Sequence, residues 1–248
     1  MRQLPPLALW HPSFVSSTDV VLLPSLGRGA RDFENLGRSL AVAGYTAWAY
    51  DPPPTMPPRI SLVDLANGVL DWATSCDVST FHVGGHAFGN RLARMVTAIA
   101  PERVITLTLL AAGGYVPMDA DILASLLGVF ADDASPEEHL RRVRHQFFAP
   151  GNDPSVWEHG WNATMASYQR EALERVDASL WWDAVAPRVL VVQGLDDVVA
   201  VPENGRRYVE DHSEVARLVE IEHAGHAVVV EQPAAVATAV ITFLRDVS

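Results

Sequence analysis

Short apolar runs alternate with amphipathic segments along most of the chain. Runs rich in Val, Ile, Leu and aromatic residues predict buried strands at DVVLLP (19–24), YTAWAY (45–50), TFHVGG (80–85), VITLTLLAA (104–112), RVLVVQG (188–194) and ARLVEIE (216–222). Apolar positions recur at helical spacing over residues 29–43, 61–75, 88–99, 203–211 and 232–246. This alternation predicts an α/β fold, a mostly parallel sheet with helices on both faces. LALWH (7–11) is expected to add an antiparallel edge strand.

One interval departs from this alternation. Residues 118–187 show no convincing strand pattern, and they hold four of the seven tryptophans of the chain: Trp157, Trp161, Trp181 and Trp182. Such an interval is too long for a plain crossover, so it predicts a helical lid inserted over the ends of the strands. The expected organisation is a core of residues 1–117 and 188–248 with a lid of residues 118–187.

Composition narrows the classes of partner. The chain has 248 residues, 49% of them hydrophobic, and a net charge of −12, which argues against nucleic-acid binding. Its single cysteine, Cys76, excludes an internal disulfide and a multi-cysteine metal site. MRQLPPLALWHPS (1–13) lacks the apolar core of a signal peptide, and no apolar run reaches transmembrane length. We therefore expect a cytoplasmic monomer or homodimer that binds neither membrane nor nucleic acid.

The stretch HVGGHAFGNRLAR (82–94) passes from a predicted strand into a predicted helix. It contains the frame G-x-S-x-G, the turn that raises a nucleophilic serine above a parallel sheet, with Ala87 at the place of the serine. A methyl group cannot attack a substrate. The motif therefore leaves open a disabled hydrolase, a hydrolase with its nucleophile elsewhere, or another kind of protein.

Later motifs extend a resemblance to the α/β-hydrolase superfamily over essentially the whole chain. GLDDVVAVPENG (194–205) is similar to the acid turn of that superfamily, and HAGHAVVVEQP (223–233) to its histidine loop. The resemblance implies Asp197 as the acid and His226 as the base. It also aligns PSLGR (24–28) with the oxyanion loop, so that the backbone N–H groups of Leu26 and Phe88 form the oxyanion hole.

The same resemblance bears on the origin of Ala87. LPSLGR together with GHAFGN is similar to one branch of the superfamily, which implies that the alanine is native. A serine-to-alanine replacement is the alternative.

The acid and the base each have a structural alternative. Asp197 could instead cap the helix that begins near Pro202, and Asp196 is the candidate acid if the register is shifted by one. His226 could be a hydrogen-bonded structural histidine, whereas His223 is expected at the surface. As a pair, the carboxylate would fix the imidazole tautomer, and the imidazole would carry protons during the reaction.

Ser25 is the candidate for a relocated nucleophile. It replaces the glycine usual in the oxyanion loop, so a hydroxyl lies next to the Leu26 N–H. That hydroxyl could reach the Nε2 atom of His226 and attack the substrate. Two alternatives stay open: a water activated by His226 is the nucleophile, or Ser25 only bonds neighbouring backbone.

Five residues are expected to border the substrate: Arg28, His86, Trp157, Trp161 and Tyr168. Arg28 could hold a substrate carboxylate, although exposure to solvent is the favoured interpretation, and His86 is expected to pack or bond locally. The aromatic residues would form an apolar wall. Arg91 and Arg94 are expected to make structural ion pairs.

Three functions are compatible with these patterns. The first is hydrolysis of an ester or lactone of a hydrophobic small molecule. The second is proton abstraction by the His–Asp pair in a lyase, an isomerase or a cofactor-free oxygenase, and the third is ligand binding without catalysis. No metal cluster or nucleotide motif is evident, because Arg and Asp interrupt the glycine pattern of LGRGARDFENLG (26–37), so we expect no cofactor.

Overall fold

The computed structural model describes residues 7–12, 18–130 and 134–247. Within them, seven strands form one sheet in the order β1-β3-β2-β4-β5-β6-β7. The strands are β1 (Leu7–Trp10), β2 (Asp19–Leu23), β3 (Thr46–Tyr50), β4 (Phe81–His86), β5 (Val104–Leu110), β6 (Val189–Gly194) and β7 (Ala216–Ile221). β1 pairs antiparallel with β3, and the other pairs are parallel. The predicted α/β fold, including its edge strand, is confirmed.

Helices follow the strands in the order that the sequence predicts. They are α1 (Glu34–Val42), α2 (Leu62–Ser75), α3 (Phe88–Ile99), α4 (Ala120–Gly128), α5 (Pro136–Phe147), α6 (Ala163–Glu174), α7 (Glu203–Asp211), α8 (Val228–Glu231) and α9 (Pro233–Arg245). α2 begins with a capping box in which the Ser61 hydroxyl accepts from the Asp64 N–H.

The sheet separates two apolar cores. On β2, Val21 and Leu23 belong to the core that contains residues of α2 and α3, whereas Val20 and Leu22 belong to the core that contains residues of α1 and α9. Successive side chains of a strand point to opposite faces, so a strand with both faces covered is apolar at every position. All four side chains are nearly inaccessible to solvent, which contributes about 1.5–3 kcal/mol of stabilisation each.

The interval between β5 and β6 is helical where the structure describes it. It contains α4, α5 and α6 together with short 3-10 turns at Pro154–Trp157 and Ala178–Leu180. Trp157 and Phe147 belong to a third, smaller apolar cluster that also contains Ala227. This cluster joins the interval to the loop before α8.

In the described ranges, no helix is both long and apolar enough to cross a membrane. The prediction that the chain starts without a signal peptide concerns residues 1–13, and residues 1–6 and 13 lie outside the described part.

Candidate active site

The turn between β4 and α3, residues 85–89, is called the elbow below. Ala87 sits at its tip with φ of 51° and ψ of −107°, a region that residues with a side chain rarely adopt. A Cβ on Gly85 would overlap the backbone of Gly89, and a Cβ on Gly89 would overlap the carbonyl group of Leu23. Both glycines of the frame are therefore needed for close approach of backbone to backbone.

Asn90 holds the elbow against the end of β5. Its Nδ2 donates to the carbonyls of Leu110 (2.8 Å) and Ala111 (3.1 Å), while its Oδ1 accepts from the Leu110 N–H (3.0 Å). The Ala87 N–H also donates to the Leu110 carbonyl, at 3.0 Å. Asn90 was not among the residues predicted for the site, although a polar side chain directly after the elbow frame was the available signal.

The predicted acid and base are in contact. Nδ1 of His226 donates to Oδ2 of Asp197 at 2.9 Å, and both side chains are almost fully buried. Asp196, the alternative acid, is exposed, as is His223. α7 begins at Glu203 without a side-chain cap, so the suggestion that Asp197 caps this helix is wrong.

Asp197 is itself held by three further donors. Oδ1 accepts from the N–H groups of Val199 and Ala200, each at 2.8 Å, and Oδ2 accepts from Nε2 of Gln193 at 3.2 Å. Together with His226, these donors hold the Asp197 carboxyl group in one orientation. Gln193, a buried polar residue near the end of β6, was missed by sequence analysis.

The loop that carries His226 is anchored on both sides. The Gly225 N–H donates to Oε2 of Glu231 at 2.7 Å, and the Ala227 N–H donates to the Phe147 carbonyl at 2.8 Å. Glu231 also accepts from the Ala149 N–H at 2.6 Å. These bonds connect the histidine loop to the chain just after α5, and they fix the backbone from which the imidazole projects.

His86 lies beneath His226 as a neutral residue. Its Nε2 donates to the backbone carbonyl of His226 at 2.7 Å, and the two rings are 5.6 Å apart. Burial, together with the nearby His226 and Arg28, lowers the pKa of His86 to about 3. His86 therefore orients the backbone of the histidine loop and does not change its charge at neutral pH.

The loop after β2 turns back over the elbow. The Arg28 N–H donates to the Ser25 carbonyl at 3.1 Å, and Gly27 has a positive φ of 62°. The loop is tied to α6 and its start, because the Gly27 N–H donates to Oε1 of Gln169 at 2.8 Å and the Gly27 carbonyl accepts from the Asn162 N–H at 3.0 Å. The loop is therefore fixed by contacts with the helical interval.

Two residues of this region have backbone N–H groups without an acceptor in the described part of the protein. Among the described residues, neither the Leu26 N–H nor the Phe88 N–H makes a hydrogen bond to the protein. Phe88 is the first residue of α3, where N–H groups have no partner within the helix. Both residues line a cavity together with Ser25, Ala87 and His226.

This cavity has a volume of about 330 Å³, within the usual range for small-molecule sites. Most of its wall is apolar, and residues of α4 and α6 contribute to it: Leu123, Leu126, Leu127 and Leu173. The polar side chains at the wall come from Ser25, His226, Arg91 and Arg170. Such a cavity suits a largely apolar ligand with a few polar groups.

Arg28 does not face solvent, so the favoured interpretation of this residue is wrong. Arg28 as a whole residue is 3% exposed. Its guanidinium donates two hydrogen bonds to Asp32, of 2.9 and 2.6 Å, and a third to the His159 carbonyl, of 2.8 Å. The indole rings of Trp157 and Trp161 each lie 4.6 Å from its Cζ atom. Arg28 borders a separate polar depression, and its charge is already paired.

Of the other four residues that were expected to contact the substrate, one lines the cavity and three do not. Trp161 lines the cavity. Trp157 is buried behind it against the His86 ring, and the Tyr168 hydroxyl donates to the Pro53 carbonyl at 2.6 Å. Hence Arg28, His86, Trp157 and Tyr168 support the wall and do not line it. The burial of Trp157 against other aromatic rings could not be distinguished in sequence from exposure to a cavity.

Arg91 and Arg94 also differ from expectation, because neither forms an ion pair with any described residue. Arg94 is buried against the rings of Tyr208, Trp182 and Trp181. Arg91 reaches the cavity. No acidic residue lies three or four positions from Arg91 in the sequence. This spacing already argued against an ion pair within the helix.

Comparison with solved structures gives the same architecture. Rv0554 from Mycobacterium tuberculosis is 21% identical with a TM-score of 0.78, covering 99% of this chain and 98% of that chain. The enol-lactonase from Burkholderia xenovorans LB400 is 17% identical with a TM-score of 0.77, covering 97% and 96%. A thermophilic esterase from Thermogutta terrifontis is 18% identical with a TM-score of 0.77, covering 97% and 93%.

At these identities the structural likeness concerns the fold alone, and no curated protein sequence matches the chain. The sequence profile of the Alpha/beta hydrolase family matches residues 20–239, which is most of the chain. The chain therefore belongs to the Alpha/beta hydrolase family.

Proposed function

We propose that this protein is a hydrolase that cleaves an ester or lactone bond of a hydrophobic small molecule. The observation that carries the proposal is the 2.9 Å contact between His226 Nδ1 and Asp197 Oδ2 at the wall of an apolar cavity. Asp197 accepts the Nδ1 proton, so Nε2 of His226 carries the lone pair that can remove a proton from a nucleophile.

The two free backbone donors supply the second part of the site. As the nucleophile adds to the carbonyl carbon, negative charge collects on the carbonyl oxygen. The N–H groups of Leu26 and Phe88, which have no acceptor in the described part of the chain, would stabilise that charge. Collapse of the intermediate expels the alkoxide, which takes back the proton held by His226.

The nucleophile is the unusual part of the proposal. Ala87 contributes only a methyl group at the elbow, whereas Ser25 lines the same cavity as His226. Among the described contacts, the hydrogen bond of the His226 ring is to Asp197 and none joins it to Ser25. In one route Ser25 attacks and forms an acyl-serine, which a water then hydrolyses. In the other route His226 removes a proton from water, which attacks directly, and the acid product leaves without a covalent intermediate.

The helical interval completes the site in this proposal. Residues 118–187 act as a lid over a core of residues 1–117 and 188–248, and α4 and α6 supply the apolar wall that selects a hydrophobic substrate. The residues described above are sufficient for this mechanism without a cofactor. A cytoplasmic location and a monomeric or homodimeric state belong to the same proposal.

Hydrolysis of p-nitrophenyl butyrate tests the proposal. We expect turnover by the wild-type protein and a loss of at least about 10³-fold in kcat/KM for His226→Ala, because the general base is removed. The matched control is His223→Ala, an exposed histidine of the same loop, which should retain wild-type turnover. Equal activity in the two variants, or no turnover of any ester or lactone, would contradict the proposal.

A second function is favoured by the methyl group of Ala87. An enzyme in which the Asp197–His226 pair abstracts a proton from carbon needs the base and the oxyanion donors but no nucleophile. Such a lyase, isomerase or cofactor-free oxygenase would exchange a substrate C–H for deuterium without net hydrolysis. Binding of ligands with neither turnover nor exchange would instead indicate a protein that only binds its ligand.

A further inference from the structure

The charges at the cavity wall are all of one sign. Arg91 and Arg170 line the cavity, whereas no Asp or Glu among the described residues does so. The chain as a whole carries a net charge of −12. A cavity wall whose charged side chains are all cationic attracts anions, although the protein as a whole is acidic.

Arg91 is placed close to the elbow. It lies on α3 three residues after Phe88, the first residue of the helix, which is a separation of about 4.5 Å along the helix axis. Residues three apart occupy the same face of a helix, and Ala87, Phe88 and Arg91 all line the cavity. The Arg91 side chain therefore reaches the cavity beside the position at which the proposed reaction takes place.

The Arg91 guanidinium has no counter-charge in the described part of the chain. Across residues 7–12, 18–130 and 134–247, no carboxylate lies within ion-pair distance of it. Burial lowers its pKa, because the charged form loses solvation that no acidic group replaces. An unpaired, partly buried cation of this kind is stabilised when an anion binds beside it.

Arg170 and Arg94 add to the positive potential. Arg170 lies on α6, lines the same cavity, and likewise pairs with no described carboxylate. Arg94, one turn beyond Arg91 on α3, is 1% exposed and stacks on the ring of Tyr208 at 4.7 Å. Its charge is not cancelled by an ion pair either.

We propose that the ligand of this cavity carries a carboxylate, which Arg91 and Arg170 bind at the wall that they share with Ala87 and His226. The inference rests on the proposed function, because the carboxylate belongs to the ester or lactone substrate. The substrate class is therefore a half-ester of a dicarboxylic acid or a lactone that bears a free carboxylate. A fork-shaped guanidinium binds such a group through two parallel N–H donors.

The test compares two small amides that resist hydrolysis and differ in one group. Glutaramic acid has a carboxylate at one end and a carboxamide at the other, whereas glutaramide has a carboxamide at both ends. Isothermal titration calorimetry at neutral pH and low salt measures the Kd of each compound. We expect the wild-type protein to bind glutaramic acid at least about tenfold more tightly, equivalent to about 1.4 kcal/mol.

Variants then assign the preference to the arginines. Arg91→Gln and Arg170→Gln should each reduce the preference for the acid several-fold, and the double variant should remove it. Arg170 is exposed, so its variant is expected to fold even if Arg91→Gln does not. Arg38→Gln changes an exposed arginine of α1 away from the cavity and should keep the wild-type preference.

The outcomes separate this inference from the proposed function. A wild-type protein that binds both compounds equally, or an acid preference that survives in Arg170→Gln and in the double variant, overturns the inference. Hydrolysis of neutral p-nitrophenyl butyrate without an acid preference would overturn the inference alone. An arginine-dependent acid preference without turnover of any ester or lactone would support the anion site and contradict the hydrolase.

Discussion

Nε2 of His86 donates a hydrogen bond of 2.7 Å to the backbone carbonyl of His226. The bond joins the elbow to the histidine loop, so two segments 140 residues apart in sequence are held in fixed register. Since the acceptor is a carbonyl, His86 must carry its proton on Nε2. A histidine inside the elbow thereby positions the candidate base without taking part in proton transfer.

Replacing His86 should reduce activity through this bond. In His86→Phe the His226 carbonyl loses its donor, so we expect the free energy of unfolding to fall by about 1–3 kcal/mol and kcat to fall with it. Urea unfolding and ester hydrolysis measure the two effects. His82→Phe is the control, because His82 is also buried but bonds Thr106. His82→Phe should lose stability and keep kcat. If its kcat fell as much as that of His86→Phe, the loss would come from general destabilisation and not from the bond to His226.

Two neutral histidines should make the fold sensitive to acid. Burial lowers the pKa of His86 to about 3 and that of His82 to about 4, from 6.5 in the unfolded chain. Between the folded and the unfolded pKa of each histidine, the unfolded chain binds more protons than the folded protein does. The free energy of unfolding therefore falls as the pH falls below about 6.5. The decrease is up to about 1.4 kcal/mol per pH unit for each histidine. Unfolding followed at several pH values should show a smaller slope in His86→Phe than in the wild type. An unchanged slope would contradict the assignment.

Asp197 and Asp196 form a matched pair for testing the acid. Asp197→Asn should lower kcat by up to about 10⁴-fold, because an amide can hold the imidazole in the wrong tautomer. Asp196→Asn changes an exposed neighbour of the same charge and should leave kcat unchanged. Steady-state hydrolysis measures both. Equal losses in the two variants would place the acid elsewhere.

Ser25→Ala decides between the two proposed nucleophiles. If Ser25 attacks, the variant loses turnover, and an organophosphonate labels the wild-type protein at Ser25, as peptide mass spectrometry would show. If water attacks, turnover persists and no label is found despite activity. Ser39→Ala is the control, since Ser39 is on α1 and its hydroxyl donates to the Asn35 carbonyl. It should behave as the wild type does.

The reassigned role of Arg28 predicts a loss of stability in Arg28→Met. Removing this arginine leaves Asp32 buried without a partner, which should cost about 3–5 kcal/mol of unfolding free energy. Arg38→Met breaks a pair of the same i,i+4 spacing with Glu34, but there both side chains are exposed, so the cost should be about 0–1 kcal/mol. Chemical denaturation measures both values. Equal costs would exclude the structural role of the buried pair.

The sequence by itself determined the order of strands and helices and the candidate proton carrier. A strand of a parallel sheet is covered on both faces, so it is mostly apolar along its whole length, as residues 104–110 are. Such a run is visible in the local sequence, and it therefore predicts the strand. The glycines at 85 and 89 record close backbone approach in the same way. Asp197 and His226 were implied by the resemblance of their motifs, which follow predicted strands, to those of the α/β-hydrolase superfamily.

Only the tertiary structure decided what each polar side chain contacts. Arg28 and Arg91 are both arginines near predicted site motifs, yet one is neutralised by Asp32 and the other reaches the cavity without a counter-charge. The same holds for Trp157 and Trp161, of which only the second lines the cavity. These outcomes depend on how the helices between β5 and β6 pack on the sheet. Packing joins residues that are far apart in the chain, and no local pattern records such contacts.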